Sequence, residues 1–152
     1  METLFTEAKD HDIPIILEMM GTFNAIDDYP FDPETRYKNL SELMGNPGLG
    51  SIFLIRNQEC IIGYIVLTFG YSFEYQGRDA FIDEFFIKED FRNRGIGKTT
   101  LGFIERASEK LGINAIHLEV ENHNVNANSL YLNKGFIGNQ RTLLTKKIKT
   151  ES

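Results

Sequence analysis

The residues best suited to chemistry lie in FFIKEDFRNRGIGKTT, residues 85–100, where an apolar run gives way to a basic, glycine-bearing turn and then to a helical pattern. Arg92, Asn93, Arg94, Gly95, Ile96, Gly97 and Lys98 make up that turn. The first-turn N–H groups of a helix have no intrahelical acceptor, and the helix dipole makes that end positive. Two glycines let backbone approach a ligand closely, and Arg92, Arg94 and Lys98 add charge of the same sign. The combination predicts an anion site for a phosphate or pyrophosphate. Spacing separates the known phosphate loops. A Walker A loop needs a glycine where Arg92 stands, and a dinucleotide fingerprint needs one where Thr100 stands. The pattern Arg-x-x-Gly-x-Gly is met in full by Arg92, Gly95 and Gly97. A solvated basic turn that happens to start a helix is the plainer alternative, and Gly97-Lys98-Thr99 keeps a small nucleotide binder in view.

The elements that must hold this turn can be read from periodicity. Thr3 to Thr6 reads as a strand. A helix capped by Asp10 or Asp12, with Pro14 in its first turn, runs to about Gly21, and Thr22 to Pro33 reads as a loop. A second helix covers Glu34 to Met44. SIFLIR, CIIGYIVLTFGYSF and AFIDEFFI form an antiparallel meander through turns at Asn57-Gln58-Glu59 and Tyr75-Gln76-Gly77-Arg78. A helix starting at Ile96 carries Thr100, Phe103, Ala107 and Leu111 on one side and ends at Gly112. In INAIHLEV, Ile116, Leu118 and Val120 share one face, and His117, Glu119 and Glu121 share the other. Asn124 caps a short helix ending at Gly135, and Thr142 to Ile148 reads as a closing strand. The order β-α-α-β-β-β-α-β-α-β predicts an α/β (α+β) fold, a mixed and mostly antiparallel sheet flanked by helices.

A second motif follows on the expected element: Asn124-x-x-Ala127-x-x-Leu130-Tyr131, with Gly135-Phe136 four residues after the tyrosine. With both motifs in place the chain resembles the GNAT superfamily of acyl-CoA-dependent N-acetyltransferases, closely over residues 80–138 and in outline elsewhere. The resemblance implies acetyl-CoA as cosubstrate, no metal, and transfer of the acetyl group to a primary amine by direct attack in a ternary complex. It implies that the strand before the loop splays from its parallel neighbour and binds the pantetheine arm through free backbone groups. Phe85, Phe86 and Ile87 then lie beside the thioester, with a backbone N–H polarising its carbonyl. Arg92 to Lys98 would wrap the pyrophosphate, Asn124 would touch the pantetheine or its neighbouring backbone, and Tyr131 would protonate the departing thiolate. A buried aromatic filling the helix face is the plain alternative for Tyr131.

The attacking amine must lose a proton. Glu119, Glu84, Asp83 and Glu121 are the candidate bases. Glu119 is similar in position to the base of ribosomal-protein alanine acetyltransferases, and Glu84 or Asp83 to the acid of polyamine acetyltransferases. Pairing with Arg78 or Lys88 is the alternative for any of them. A β-bulge at Glu84–Phe86 would re-aim these side chains, so strand parity does not choose among them. A non-catalytic acyl-CoA sensor is the rival from another functional class. Cys60 reads as structural, His123 as a candidate proton shuttle, Asp10-His11-Asp12 as a capping turn, and Tyr71 to Tyr75 as a hairpin tip that could border the acceptor.

Composition sets the outer limits. The 152 residues carry a net charge of −6, which argues against a nucleic-acid partner held by bulk attraction. The charge is uneven: residues 1–45 hold ten acids against Lys9, Arg36 and Lys38. Glu18, Asp27, Asp28 and Asp32 in that stretch would favour a cationic acceptor, a small molecule or a peptide amine, or would form a solvated face. One cysteine excludes an intrachain disulfide and a cysteine zinc site. No signal peptide or spanning apolar run is evident. The expectation is one cytoplasmic domain covering residues 1–152 with no membrane partner, a homodimer being left open.

Overall fold

The structure, a computed structural model, describes residues 2–149. Met1 and residues 150–152 of the expected domain lie outside the described residues. The elements are β1 (Thr3–Glu7), a 3-10 turn (Asp10–Asp12), α1 (Ile13–Ile26), α2 (Pro33–Met44), β2 (Gly50–Asn57), β3 (Cys60–Ser72), β4 (Gly77–Ile87), α3 (Ile96–Lys110), β5 (Ala115–Leu118) and α4 (Val125–Asn133). The five strands form one sheet in the order β1-β2-β3-β4-β5. All neighbours are antiparallel except β4 and β5. This is the expected mixed α/β arrangement.

Helices cover both faces, as the alternation of apolar residues along β2 and β3 requires. On one face Ile52, Leu54, Tyr64, Val66 and Phe86 pack against Ile16, Met19 and Met20 of α1 and Leu40 of α2. On the other, Ile65, Leu67 and Ile82 pack against Leu101 and Ile104 of α3. Ile96, at the start of α3, closes a smaller cluster with Ile55 and Ile62. Thr100 is fully buried, and its hydroxyl donates to the Ile96 carbonyl at 2.8 Å.

One irregularity decides what β4 presents. Val66 pairs with Glu84 and Leu67 with Ile82, so Asp83 has no partner on β3. A bulge of this kind reverses side-chain parity beyond it. Ile82 therefore points to the α3 face, whereas Glu84 and Phe86 turn to the α1/α2 face. The bulge lies one residue earlier than the expected Glu84–Phe86.

Three expectations need correction. First, α1 does not stop near Gly21 but runs to Ile26, and the loop shrinks to residues 27–32. Gly21 faces the Phe31 ring, a Cβ there lying 3.4 Å from it, so the glycine serves packing rather than helix termination. Second, β5 ends at Leu118, which leaves Glu119, Val120 and Glu121 beyond the strand. Third, Thr142–Ile148 forms no strand. Leu143 and Leu144 are adjacent, so a strand would send one to each face; both are exposed, with Ile148, beside Lys146 and Lys147.

Candidate functional site

Parallel pairing of β4 with β5 covers only Asp79–Ile82 against Ala115–Leu118. From Glu84 to Ile87, β4 pairs with β3 alone. The Lys88 N–H donates to the Ile62 carbonyl of β3 at 2.8 Å. Antiparallel alternation then points the backbone groups of Phe86 toward β3, and those of Phe85 and Ile87 toward the opened edge. The Ile87 carbonyl does face that way, since the Arg92 Nε donates to it at 2.7 Å. The gap is thus a cleft with β4 backbone groups that no neighbouring strand pairs on one wall.

The cleft leads to the N-terminus of α3. Gly95 caps this helix in the left-handed region (φ 80°), and no side chain caps it, so the first-turn N–H groups stay free for an anion. Asn93 is also left-handed at φ 62°. Arg92, Arg94 and Lys98 are exposed around this end. The guanidinium of Arg94 lies 5.4 Å from the Phe91 ring centroid, and that of Arg92 lies 5.5 Å from the Phe86 ring.

Gly97 also has a packing role. A Cβ there would stand 3.0 Å from Leu130 Cδ2 and 3.9 Å from Ile87 Cδ1. The glycine therefore lets α4 and the end of β4 close on the first turn of α3. Tyr131 is the next residue of α4 and packs against the α3-face cluster. Tyr131 is half-buried and meets Phe136 edge-on with centroids 5.8 Å apart. Burial lifts its phenol above the ordinary pKa, so it remains protonated throughout the neutral range. Its hydroxyl bonds to no other described residue. Asn124 caps α4, its Oδ1 accepting from the Ala127 N–H at 3.2 Å.

The candidate carboxylates fall into distinct settings. Glu84 is almost buried and fully engaged. Its Oε2 accepts from Arg36 Nη1 of α2 at 2.9 Å, and its Oε1 from the Tyr64 hydroxyl of β3 at 2.8 Å. Its partners are thus neither Arg78 nor Lys88. Sequence reading missed Arg36 and Tyr64 because the pairing spans three elements and depends on the bulge. Glu119 is exposed just beyond β5 and pairs with no other described residue. Asp83 is exposed at the bulge. Glu121 accepts from the Tyr29 hydroxyl at 2.9 Å, and His123 Nε2 lies 3.6 Å from Asp27 Oδ1, so the α1–α2 loop straps onto the β5–α4 loop. His117 Nε2 lies 3.0 Å from Asp79 Oδ2 on the sheet face opposite Ile116 and Leu118.

A groove of ≈ 420 Å³ adjoins the end of β4, lined by Glu18, Met19, Thr22 and Ile26 of α1 and by Phe86, Lys88, Glu89 and Arg92. A hollow of ≈ 550 Å³ between α1 and α2 lies away from the opened edge, and Glu18 is its one charged lining residue. Of the acidic front, Asp32 bonds the Thr35 hydroxyl at 2.6 Å, which holds its carboxyl below the usual range. Cys60 is exposed at the β2–β3 turn, and Asp12 accepts from the Lys9 N–H at 2.9 Å as a capping turn should. Among the described residues no group of three or more His, Cys, Asp or Glu is arranged to hold a metal ion, and no helix is long and apolar enough to cross a membrane.

The sheet is opened between β4 and β5, with a free helix N-terminus at the end of the opening. The chain belongs to the acetyltransferase (GNAT) family, whose sequence model matches residues 16–136. It is similar to the uncharacterized N-acetyltransferase YycN of Bacillus subtilis, at 32% identity over 80 residues, 53% of this chain and 50% of that protein. It also resembles the thialysine N-epsilon-acetyltransferase of Bos taurus, at 28% identity over 72 residues, 47% of this chain and 42% of that one. The chain spans about half the length of these curated relatives. Among solved structures, the integron cassette protein HFX_CASS3 from the mobile metagenome of Cole Harbour Salt Marsh superposes with a TM-score of 0.86 and 28% identity, over 97% of this chain and 91% of that one.

Proposed function

We propose that this protein is an acetyl-CoA-dependent N-acetyltransferase that acts on a primary amine of a cationic acceptor, by direct attack in a ternary complex. The observation that carries this reading is the continuous run from the unpaired edge at Phe85 and Ile87 to the uncapped N-terminus of α3. Such an edge takes an extended amide-bearing arm as it would take another strand, and the helix end takes the pyrophosphate. Phe85, Phe86 and Ile87 line the arm; Arg92, Asn93, Arg94, Gly95, Ile96, Gly97 and Lys98 hold the phosphates. An outward N–H of β4 meets the charge that grows on the thioester oxygen. Tyr131, kept protonated by burial, donates to the departing sulfur.

The acceptor is cationic because the front of the chain is acidic and Glu18 lines the groove beside β4. One relative is named for acetylating the ε-amine of thialysine, a cationic amine. An amine of pKa about 10.4 arrives protonated at neutral pH, so a carboxylate must take its proton. Glu119 is the base of this proposal, because its carboxylate is free whereas both oxygens of Glu84 are occupied.

The test is thiol release from acetyl-CoA with a panel of polyamines, aminoglycosides and lysine or N-terminal peptide amines, alongside calorimetry of CoA binding. Turnover with at least one cationic amine is expected. CoA binding without turnover on any acceptor would instead make the domain a sensor, and loss of both would remove the site.

A further inference from the structure

We infer that Arg36 is a positioning residue for acetyl transfer, acting through Glu84 to fix the β4 backbone at its opened edge. The inference rests on the acetyltransferase reading above and assigns a role to a residue of α2 that belongs to neither sequence motif.

Three elements converge on one carboxylate. Arg36 comes from α2, Tyr64 from β3 and Glu84 from β4, with bonds of 2.9 and 2.8 Å to the two carboxylate oxygens. Side-chain exposure is 13% for Glu84 and 24% for Arg36, so water competes little for either bond. Charge-assisted bonds of this length are among the stronger ones. The guanidinium is held in turn by the Phe31 ring, 5.4 Å away, and touches Met20 Sδ at 3.7 Å. Tyr64 is fully buried and packs against Phe86 with ring centroids 5.9 Å apart.

The position of this carboxylate gives the cluster its purpose. Glu84 directly follows the bulge residue Asp83 and directly precedes Phe85, whose backbone groups face the opened edge. A bulge adds a residue that no ladder bond holds, so a side chain anchored beside it reinforces the register in which the ladder resumes at Val66 and Glu84. Glu84 supplies that anchor from one side of the strand. Its loss would let Phe85 and Ile87 shift, and small shifts of a donor at a reacting carbonyl are costly. These bonds take one acceptor site on each oxygen of Glu84 and leave its other lone pairs, so the pH profile separates positioning from proton acceptance.

The experiment compares Arg36→Gln, Arg36→Lys, Tyr64→Phe and Glu84→Gln by steady-state kinetics and by ¹⁵N amide spectra. Arg36→Gln should lower kcat about tenfold or more while the KM for acetyl-CoA moves little, as expected when a donor is misaligned rather than removed. Arg36→Lys should restore part of the loss, since an ammonium can make one of the bonds but lacks the guanidinium geometry. Glu84→Gln should lower kcat yet keep the midpoint of the acid limb of the pH profile. The Phe85 and Ile87 amide resonances should move in Arg36→Gln and return toward wild type in Arg36→Lys. These shifts need no turnover, so they test the positioning even if no acceptor is acetylated, whereas wild-type thiol release tests the acetyltransferase reading itself. Unmoved Phe85 and Ile87 amides in folded Arg36→Gln would overturn the inference. So would an acid limb that vanishes in Glu84→Gln, which would make Glu84 the base. If Arg36→Gln does not fold, Tyr64→Phe removes one of the two bonds, and the same amide readout applies.

Discussion

The close approach of three elements at Gly97 can be tested by adding one methyl group. In Gly97→Ala the new Cβ stands 3.0 Å from Leu130 Cδ2. Alanine gains up to about 1 kcal/mol over glycine in helix propensity. Overpacking a well-filled contact costs about 1–3 kcal/mol. Leu130 packs within the α3-face cluster, and α4 is pinned at both ends, by the Asn124 cap and by the Phe136 N–H bonding the Tyr131 carbonyl at 3.0 Å. The side chain therefore has little room to yield, and the net loss should be about 1 kcal/mol, or about 2–4 °C in Tm for a chain of this size. Turnover should fall several-fold, because the displaced residue adjoins Tyr131. Leu130→Val removes the opposing Cδ2, so Gly97→Ala/Leu130→Val should be more stable than the sum of the single changes by about 0.5 kcal/mol or more. Denaturant unfolding and thiol-release kinetics on the four proteins supply the cycle. Strictly additive stabilities, with wild-type turnover in Gly97→Ala, would refute the argument that this glycine exists to admit α4.

Tyr131→Phe should lower turnover strongly and leave acetyl-CoA affinity in calorimetry nearly intact, since only the donor to sulfur is lost. CoA affinity should weaken as salt rises, and Arg94→Ala should reduce both the affinity and its salt slope when titrated from low to physiological ionic strength. Burial and the Glu84 charge raise the folded-state pKa of Tyr64 above the phenol's usual 10.0. A group so raised contributes stability in full below the unfolded pKa and loses it as pH climbs above that value. Denaturant midpoints should accordingly fall above about pH 10 more steeply in wild type than in Tyr64→Phe. Glu119→Gln should depress kcat more than it raises the acceptor KM, whereas neutralising Asp27 and Asp28 should act mainly on that KM; a silent Glu119→Gln would move the base to the β4 bulge.

Much of this molecule was legible because its signals are local. Arg92, Gly95 and Gly97 sit in one turn, and Asn124, Leu130, Tyr131 and Phe136 on one short helix and its exit, so their spacing carries the family resemblance. The meander of β2, β3 and β4 followed from apolar runs joined by short turns. The features that escaped depend on distant contacts. The length of α1 was misjudged at Gly21 because the ring that fills the glycine's space, Phe31, comes ten residues later. Thr142–Ile148 reads as a closing strand, but its two adjacent leucines and flanking lysines give it no face to bury.

The carboxylates show the same division at the level of chemistry. Asp83 and Glu84 are neighbours in sequence and both candidates there, on the strand before the loop. One unpaired residue separates their fates. Because the bulge falls on Asp83, that side chain is exposed, while Glu84 turns beneath α2 into the reach of Arg36 and Tyr64. Had the bulge been absent, strict alternation would have sent Glu84 to the face of Ile82, among Leu101 and Ile104, where an uncompensated carboxylate costs several kcal/mol. Glu84 is therefore tolerable only with the bulge, and the bulge's register is held by Glu84. Where the ladder resumes past the bulge, β5 has already ended, and Phe85 and Ile87 turn their backbone groups to the opened edge.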